Sequence, residues 1–358
     1  MGFAVGKIDL NKRNVLLTGA AGFIGANLAK KLLDSCDINV IGVDNMSDYY
    51  DVGLKEYRLR QLEAYDNFTF IKASISDRDE INAIFNKYRP SVVVNLAAQA
   101  GVRNSITDPD TYIDSNIIGF YNILEACRHS YDNGRSGVEH LVYASSSSVY
   151  GSNSKIPYST DDKVDSPVSL YAATKKSNEL MAHAYSKLYG IPCTGLRFFT
   201  VYGPAGRPDM AYFGFTDKLR KGEDIRIFNY GNCKRDFTYV DDIVEGVYRV
   251  MQKSPDEGVA SDGLPTVRYA LYNIGNSNPE NLLDFVDILS EELKSVGVLD
   301  ADYDIEKHKK LVPMQPGDVE VTYADTSALE REFGFKPQTS LRDGLRCFAG
   351  WYKDYYNI

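Results

Sequence analysis

The sequence predicts an α/β protein in which a doubly wound parallel sheet is followed by a smaller C-terminal α/β lobe. Three observations carry that prediction. Short apolar runs alternate with amphipathic stretches up to about Thr200, and a glycine-rich turn joins the first apolar run to a helical pattern. Beyond Thr200 the alternation loosens into loops rich in Gly, Pro and aromatic residues, with separate helices.

The strands expected from the apolar runs are Asn14–Thr18, Asn39–Val43, Thr69–Lys72, Ser91–Leu96, His140–Ala144 and Pro192–Phe198. Between the fourth and fifth of these strands, Tyr112–Arg128 places Ile113, Ile117, Phe120, Ile123, Leu124 and Cys127 at helical spacing, so this segment is expected to form a helix with a core face. In the second lobe, Leu282–Val296 and Leu341–Tyr355 read as helices, and Asp241-Asp242, before the apolar run Ile243–Val250, reads as a helix cap rather than a metal site. No metal is assigned.

The chain has 358 residues, 44% of them hydrophobic, enough to bury a substantial core without staples. Its formal charge of -9 argues against a broad nucleic-acid footprint, while leaving room for a local basic pocket that takes a small anion. Cys36, Cys127, Cys193, Cys233 and Cys347 are scattered without CxxC spacing, and only four histidines occur, so neither a disulfide framework nor a zinc site is expected. The opening MGFAVGKIDLNKR has no long apolar segment, and Gly6 stands where a myristoylation signal prefers a hydroxyl; a soluble cytoplasmic protein is the expectation.

The first motif with chemistry is Thr18-Gly-Ala-Ala-Gly-Phe-Ile-Gly25, between the first strand and a helical run carrying Ile24, Leu28 and Leu32. Gly19 permits the tight turn, Gly22 lets backbone approach a pyrophosphate, and Gly25 lets helix and strand pack closely; the helix N-terminus then favours the negative charge. Nineteen residues after Gly25, the second strand runs into Asp44, an acid placed to accept hydrogen bonds from an adenosine ribose. From Asn45 to Gly53 there is no Arg or Lys, so a 2′-phosphate would meet an acid without a counterion, and NAD is expected over NADP. Residues 1–199 are accordingly assigned to an NAD-binding Rossmann domain and 200–358 to a substrate lobe, with part of 236–253 packing back on the first domain.

Tyr171-Ala-Ala-Thr-Lys175 supplies the second motif. Four residues along a helix bring Lys175 onto the face of Tyr171, where an ammonium can favour the phenolate and reach a nicotinamide ribose. The phenol would then serve as a base near working pH. A glycine turn spaced GxxGxxG, a serine run in YASSSSVYG and YxxxK occur in the order of the extended short-chain dehydrogenase/reductases, which the chain resembles. Over about residues 14 to 350 it is similar more narrowly to the UDP-glucuronate 4-epimerases among nucleotide-sugar epimerases, through VDNMSDYYDVGLKEYRL, NLAAQAGVRNS, SSSSVYG, YAATKKSNE, LRFFTVYGPAGRPDMAYF, RDFTYVDDI and MQPGDVEVTYADTSAL.

That resemblance implies a Ser146, Tyr171 and Lys175 triad, with Ser146 twenty-five positions before Tyr171. It implies that Phe23 and Ile24 of the glycine turn, Asn45, Ser74, Ile75, Ala97, Ala98 and Phe198 also line the cofactor cleft, although many relatives carry Asp at the position of Ser74. For the substrate it points to Ser147, Ser148, Thr200, Arg207, Arg235, Gln315 and Asp318, although many UDP-hexose epimerases have Arg at the position of Gln315. Related dehydratases and decarboxylases place acids where this chain has Ser147 and Ser148; hydroxyls there can donate to a sugar carboxylate without proton-transfer chemistry. The implied activity is reversible 4-epimerisation of UDP-glucuronate to UDP-galacturonate through a 4-keto sugar, with tightly held NAD recycled in place. A homodimer through Tyr112–Arg128 and the Tyr171–Tyr189 helix, with no membrane or nucleic-acid partner, is also implied. Epimerisation of UDP-glucose or UDP-N-acetylglucosamine, UDP-glucuronate decarboxylation and a non-catalytic NAD-binding scaffold are the alternatives.

Overall fold

The structure, a computed structural model, describes residues 5–259, 265–315 and 319–358. Seven strands form the main sheet: β1 (Asn14–Thr18), β2 (Asn39–Asp44), β3 (Phe68–Lys72), β4 (Val92–Asn95), β5 (His140–Ser146), β6 (Cys193–Phe198) and β7 (Tyr269–Ile274). All neighbours are parallel, in the order β7-β6-β5-β4-β1-β2-β3. The chain reverses its direction of winding between β1 and β4, so a crevice opens at the C-terminal ends of those strands. Central strand Val92–Asn95 is buried along its whole length, which explains its run of three valines, and Cys193–Phe198 is equally buried although it carries Thr194 and Arg197, whereas edge strand β3 is half-exposed.

Helices α1 (Phe23–Ser35), α2 (Val52–Leu62), α3 (Arg78–Tyr88), α4 (Phe120–His129) and α5 (Leu170–Tyr189) follow the strands. Ser169 caps α5 by accepting from the Ala172 N–H, and Gly190 ends it in the left-handed conformation with φ 68°. The helix expected over 112–128 is not uniform. Pro109–Tyr112 is α-helical, Ile113–Gly119 widens into a π segment, and α4 resumes the α form. The widened turn lets the carbonyl of Asn116 accept from Asn178 Nδ2 at 2.6 Å while its side chain serves Gln99 and Thr174.

β7 lies beyond Thr200 in sequence yet completes the main sheet beside β6. Its residues, YALYNI, pair with β6 and pack against helix Ser327–Phe333, with residues 269–272 half-buried and Asn273 and Ile274 buried. The remaining C-terminal elements include α6 (Ala211–Arg220), α7 (Val240–Met251), α8 (Leu282–Ser295) and α9 (Leu341–Tyr356), around a three-stranded sheet of Pro279–Asn281, Lys234–Tyr239 and Thr200–Tyr202. Helix α7 packs against α1. Its N-cap is Tyr239, so Asp241 and Asp242 sit in the first turn instead of capping; Asp242 accepts from the Thr339 N–H at 3.0 Å and thereby fastens the approach to α9. Among the described residues no helix is long and apolar enough to cross a membrane.

Candidate active site

The glycine turn is shaped by contacts that exclude side chains. Gly19 has φ 73°, its N–H bonds the Val43 carbonyl at 2.7 Å, and a Cβ there would stand 2.8 Å from the Ala97 nitrogen. A Cβ on Gly25 would fall 2.1 Å from the Gly19 oxygen. Thr18 ties this turn to the next loop: its Oγ1 donates to Asn95 Oδ1 at 2.7 Å and accepts from the Ala97 N–H at 3.2 Å. The result is one wall of a cleft made by Gly19, Gly22, Phe23, Ile24, Gly25, Ala97 and Ala98, as expected from the sequence. Helix α1 begins on this wall with Gly22 as N-cap, no capping side chain and no acid in its first turn. Its free N–H groups and positive end can take an anion.

The end of the cleft expected to take adenosine is lined by Asp44, Asn45, Ser74 and Ile75. Asp44 accepts from the Ala21 N–H at 3.1 Å and the Met46 N–H at 2.9 Å, while Asn45 Oδ1 is engaged locally by the Ser47 N–H at 3.0 Å. Ser74 Oγ lies 2.8 Å from Ser76 Oγ. One premise drawn from the sequence needs correction. Lys55 lies just past the cation-free window, and α2 folds it back so that its Nζ sits 3.3 Å from Asp44 Oδ1 inside the same cleft. A counterion is therefore present.

At the opposite end, β5 delivers Ala144, Ser145 and Ser146 to the cleft, α5 delivers Tyr171 and Lys175, and β6 delivers Phe198. Ser146 is buried and shares the cleft wall with Tyr171. Burial pushes the Tyr171 phenol above its ordinary value; the nearby Ser146 hydroxyl and the charge of Arg207 act in the other direction. Lys175 Nζ donates to the Ala144 carbonyl at 2.8 Å, and burial lowers it to about 8. Lys175 is thus held by backbone, while the charge of Arg207 favours the phenolate. Tyr112 holds the phenol ring edge-on at 6.0 Å and is anchored through its hydroxyl to the carbonyls of Ala100 and Gly101.

The expected substrate residues divide. Arg207 lines the cleft, with Nε 3.0 Å and Nη2 2.6 Å from Asp209, whose other neighbour is the Tyr49 hydroxyl at 3.4 Å. Ser147 and Ser148 form a 3-10 turn just outside the cleft wall; the Ser148 N–H donates to Ser146 Oγ at 3.2 Å, so this turn holds Ser146 in place. Thr200 lies between two lining residues, Phe199 and Val201, and is not itself part of the cleft wall. Arg235 donates to the carbonyls of Lys234 and Glu320, away from the wall. Gln315 buries an Oε1 that has no hydrogen-bond partner among the described residues, and Asp318 lies outside them.

Two buried cations on α2 escaped the sequence reading. Arg58 donates to the carbonyls of Ala21, Ala205 and Gly206 and to the Tyr50 hydroxyl, joining the glycine turn to the loop that bears Arg207. The available signal was their spacing: Lys55 and Arg58 share a helix face with Leu54, Leu59 and Leu62, all buried. Beneath the serines, Glu179 accepts from Arg197 at 2.8 and 2.9 Å and from Ser145 at 2.7 Å, and all three are buried.

A parallel sheet with a glycine turn at its switch point, and a Ser-Tyr-Lys set across the crevice, defines the extended short-chain dehydrogenase/reductase class. Within it, the chain belongs to the family described as GDP-mannose 4,6 dehydratase, whose family model matches residues 16–348. Protein CapI of Staphylococcus aureus is 51% identical over 348 residues, covering 96% of this chain and 99% of that protein. UDP-glucuronate 4-epimerase 4 of Arabidopsis thaliana is 45% identical over 354 residues, covering 97% of this chain and 77% of the relative. Among solved structures, UDP-glucuronic acid 4-epimerase from Bacillus cereus, in complex with UDP-glucuronic acid and NAD, is similar with a TM-score of 0.82 at 32% identity, covering 96% of this chain and all of that one.

Proposed function

We propose that this protein is an NAD-dependent UDP-glucuronate 4-epimerase, interconverting UDP-glucuronate and UDP-galacturonate. The observation that carries the reading is that Ser146, Tyr171, Lys175 and Arg207 line one cleft with the glycine turn. The residues fit NAD: α1 presents an open N-terminus for the pyrophosphate, Asp44 awaits the ribose, and Lys175 stands near the nicotinamide end. Bound NAD supplies the acceptor, and then the donor, of the hydrogen at carbon 4 of the sugar.

The chain's own residues move the proton. Tyr171 takes it from the carbon 4 hydroxyl as the sugar becomes a 4-keto species, and returns it after the sugar turns over. Ser146 donates to the same oxygen. Arg207 keeps the phenol's proton loss affordable and offers its outer edge to a sugar carboxylate, while Asp209 fixes its orientation. Proton removal at carbon 5, needed for elimination, would call for an acid-base group that Ser147 and Ser148 do not supply. We assign residues 1–199 to cofactor binding and 200–358 to the substrate, with α7 bridging to α1. Exposed Ile113, Ile118, Leu180 and Leu188 on adjoining helices favour a homodimer through those faces, and five free cysteines suit the reducing cytoplasm.

The test is chromatography of UDP-sugars after incubation of the purified protein with UDP-glucuronate, UDP-glucose or UDP-N-acetylglucosamine. Conversion of UDP-glucuronate to UDP-galacturonate, lost in Tyr171→Phe, is expected. Turnover confined to a neutral sugar, or a pentose product with carbon dioxide, would overturn the proposal.

A further inference from the structure

The accounting at Asp44 leaves a ribose with one partner too few. An ionised carboxylate has about four acceptor sites, and the Ala21 N–H, the Met46 N–H and Lys55 Nζ already take three. A ribose diol brings two adjacent hydroxyls, and Asp44 has room for one of them. Lys55 is the group beside it. It is buried, it lines the cleft, its ammonium lies over the Tyr50 ring at 5.5 Å, and Asp44 is its one hydrogen-bond partner among the described residues. Two of its three N–H donors are therefore available to a ligand oxygen.

We propose that Lys55 is a ribose ligand that sets how strongly this cleft rejects a 2′-phosphorylated dinucleotide. Asp44 accepts from one hydroxyl and repels a phosphate at the 2′ position. Lys55 donates to the neighbouring oxygen and would donate equally to a phosphate oxygen, since an ammonium is a compact charge without a preferred plane. The preference for NAD is then a balance between two fixed opposite charges 3.3 Å apart, and not the work of an acid alone. Arg58, one turn further along α2, adds a second buried positive charge to this end, held by carbonyl and hydroxyl oxygens. Removing the acid should therefore uncover a phosphate site, provided the lysine remains.

This inference rests on the proposed function for the identity of the dinucleotide, and its test reads binding alone. Purified parent protein, Asp44→Asn, Lys55→Met and the double variant are each exchanged against an equimolar excess of NAD and NADP, and the retained dinucleotides are separated by chromatography. Each protein serves as its own control, because a uniform loss of affinity cancels in the NADP:NAD ratio. The ratio should rise about tenfold in Asp44→Asn, the size of one charge-assisted hydrogen bond, and fall below the parent value in Lys55→Met. In the double variant the gain should vanish. Lys55→Arg in the Asp44→Asn background should keep the gain, which separates charge from packing. Equal ratios in Asp44→Asn and the double variant would overturn the proposal. Retained dinucleotide without epimerisation would sink the proposed function and leave this inference standing; no dinucleotide in any of the proteins would overturn both.

Discussion

Glu179→Gln is the substitution whose cost the structure defines most sharply. Glu179 is 1% exposed and holds Arg197, also 1% exposed, through two hydrogen bonds of 2.8 and 2.9 Å, while its Oε1 accepts from Ser145 beside the catalytic serine. Burial opposes ionisation of Glu179, and the hydrogen bonds and charge of Arg197 overcome it, leaving the carboxyl below its ordinary range. The amide keeps the shape and removes the charge, stranding a guanidinium whose Nη1 already lacks a partner among the described residues. Breaking a buried pair from one side costs about 3–5 kcal/mol. With an unfolding entropy of about 2.1 cal/mol/K per residue, that loss lowers Tm by roughly 4–7 °C. Differential scanning calorimetry reads the shift directly. Replacing both Glu179 and Arg197 by Met should recover most of it, because no charge is then left alone. A Glu179→Gln protein melting within about 1 °C of the parent would refute the reasoning.

Gly25→Ala should lose bound dinucleotide and melt lower, because its Cβ would meet the Gly19 oxygen at 2.1 Å and force α1 away from the turn; the ratio of absorbance at 260 to 280 nm of the purified protein checks this. Burial lowers Lys175 to about 8 from 10.5, so between those values the unfolded chain binds the proton that the folded chain has shed. Stability of the dinucleotide-free protein should therefore rise with pH above about 8, and Lys175→Met should flatten that rise in melting curves taken between about pH 8 and 10. Arg58→Met should detach the Arg207 loop from the glycine turn, raising KM for UDP-glucuronate more than it lowers kcat in steady-state assays.

Much of this architecture is written in local pattern. The strands β1, β2 and β4 announce themselves because a parallel sheet covered on both faces favours runs of Val, Ile and Leu. GxxGxxG, Asp44 and YxxxK are legible because each acts through backbone geometry or a fixed helical spacing. What stayed hidden depends on distant pairing. Nothing local in YALYNI says that it will cross from the second lobe to become β7. Lys55 and Arg58 look like solvated helix cations until the loop 205–206 and Asp44 close over them. The four serines look equivalent in sequence, yet the chain turns after Ser146, which leaves Ser145 on the Glu179 network, Ser146 on the cleft wall with Tyr171, and the next two in a supporting turn. The π segment arises because Asn116 must serve Gln99, Thr174 and Asn178 at once, a tertiary demand that overrides helical periodicity.

At the centre of this account one hydrogen leaves carbon 4 and comes back to it without meeting solvent. UDP-glucuronate carrying deuterium at carbon 4, incubated with the purified protein and no added dinucleotide, puts that to proton NMR. The label should remain at carbon 4 of the UDP-galacturonate formed. Deuterium lost to water, or solvent hydrogen entering at carbon 5, would contradict it.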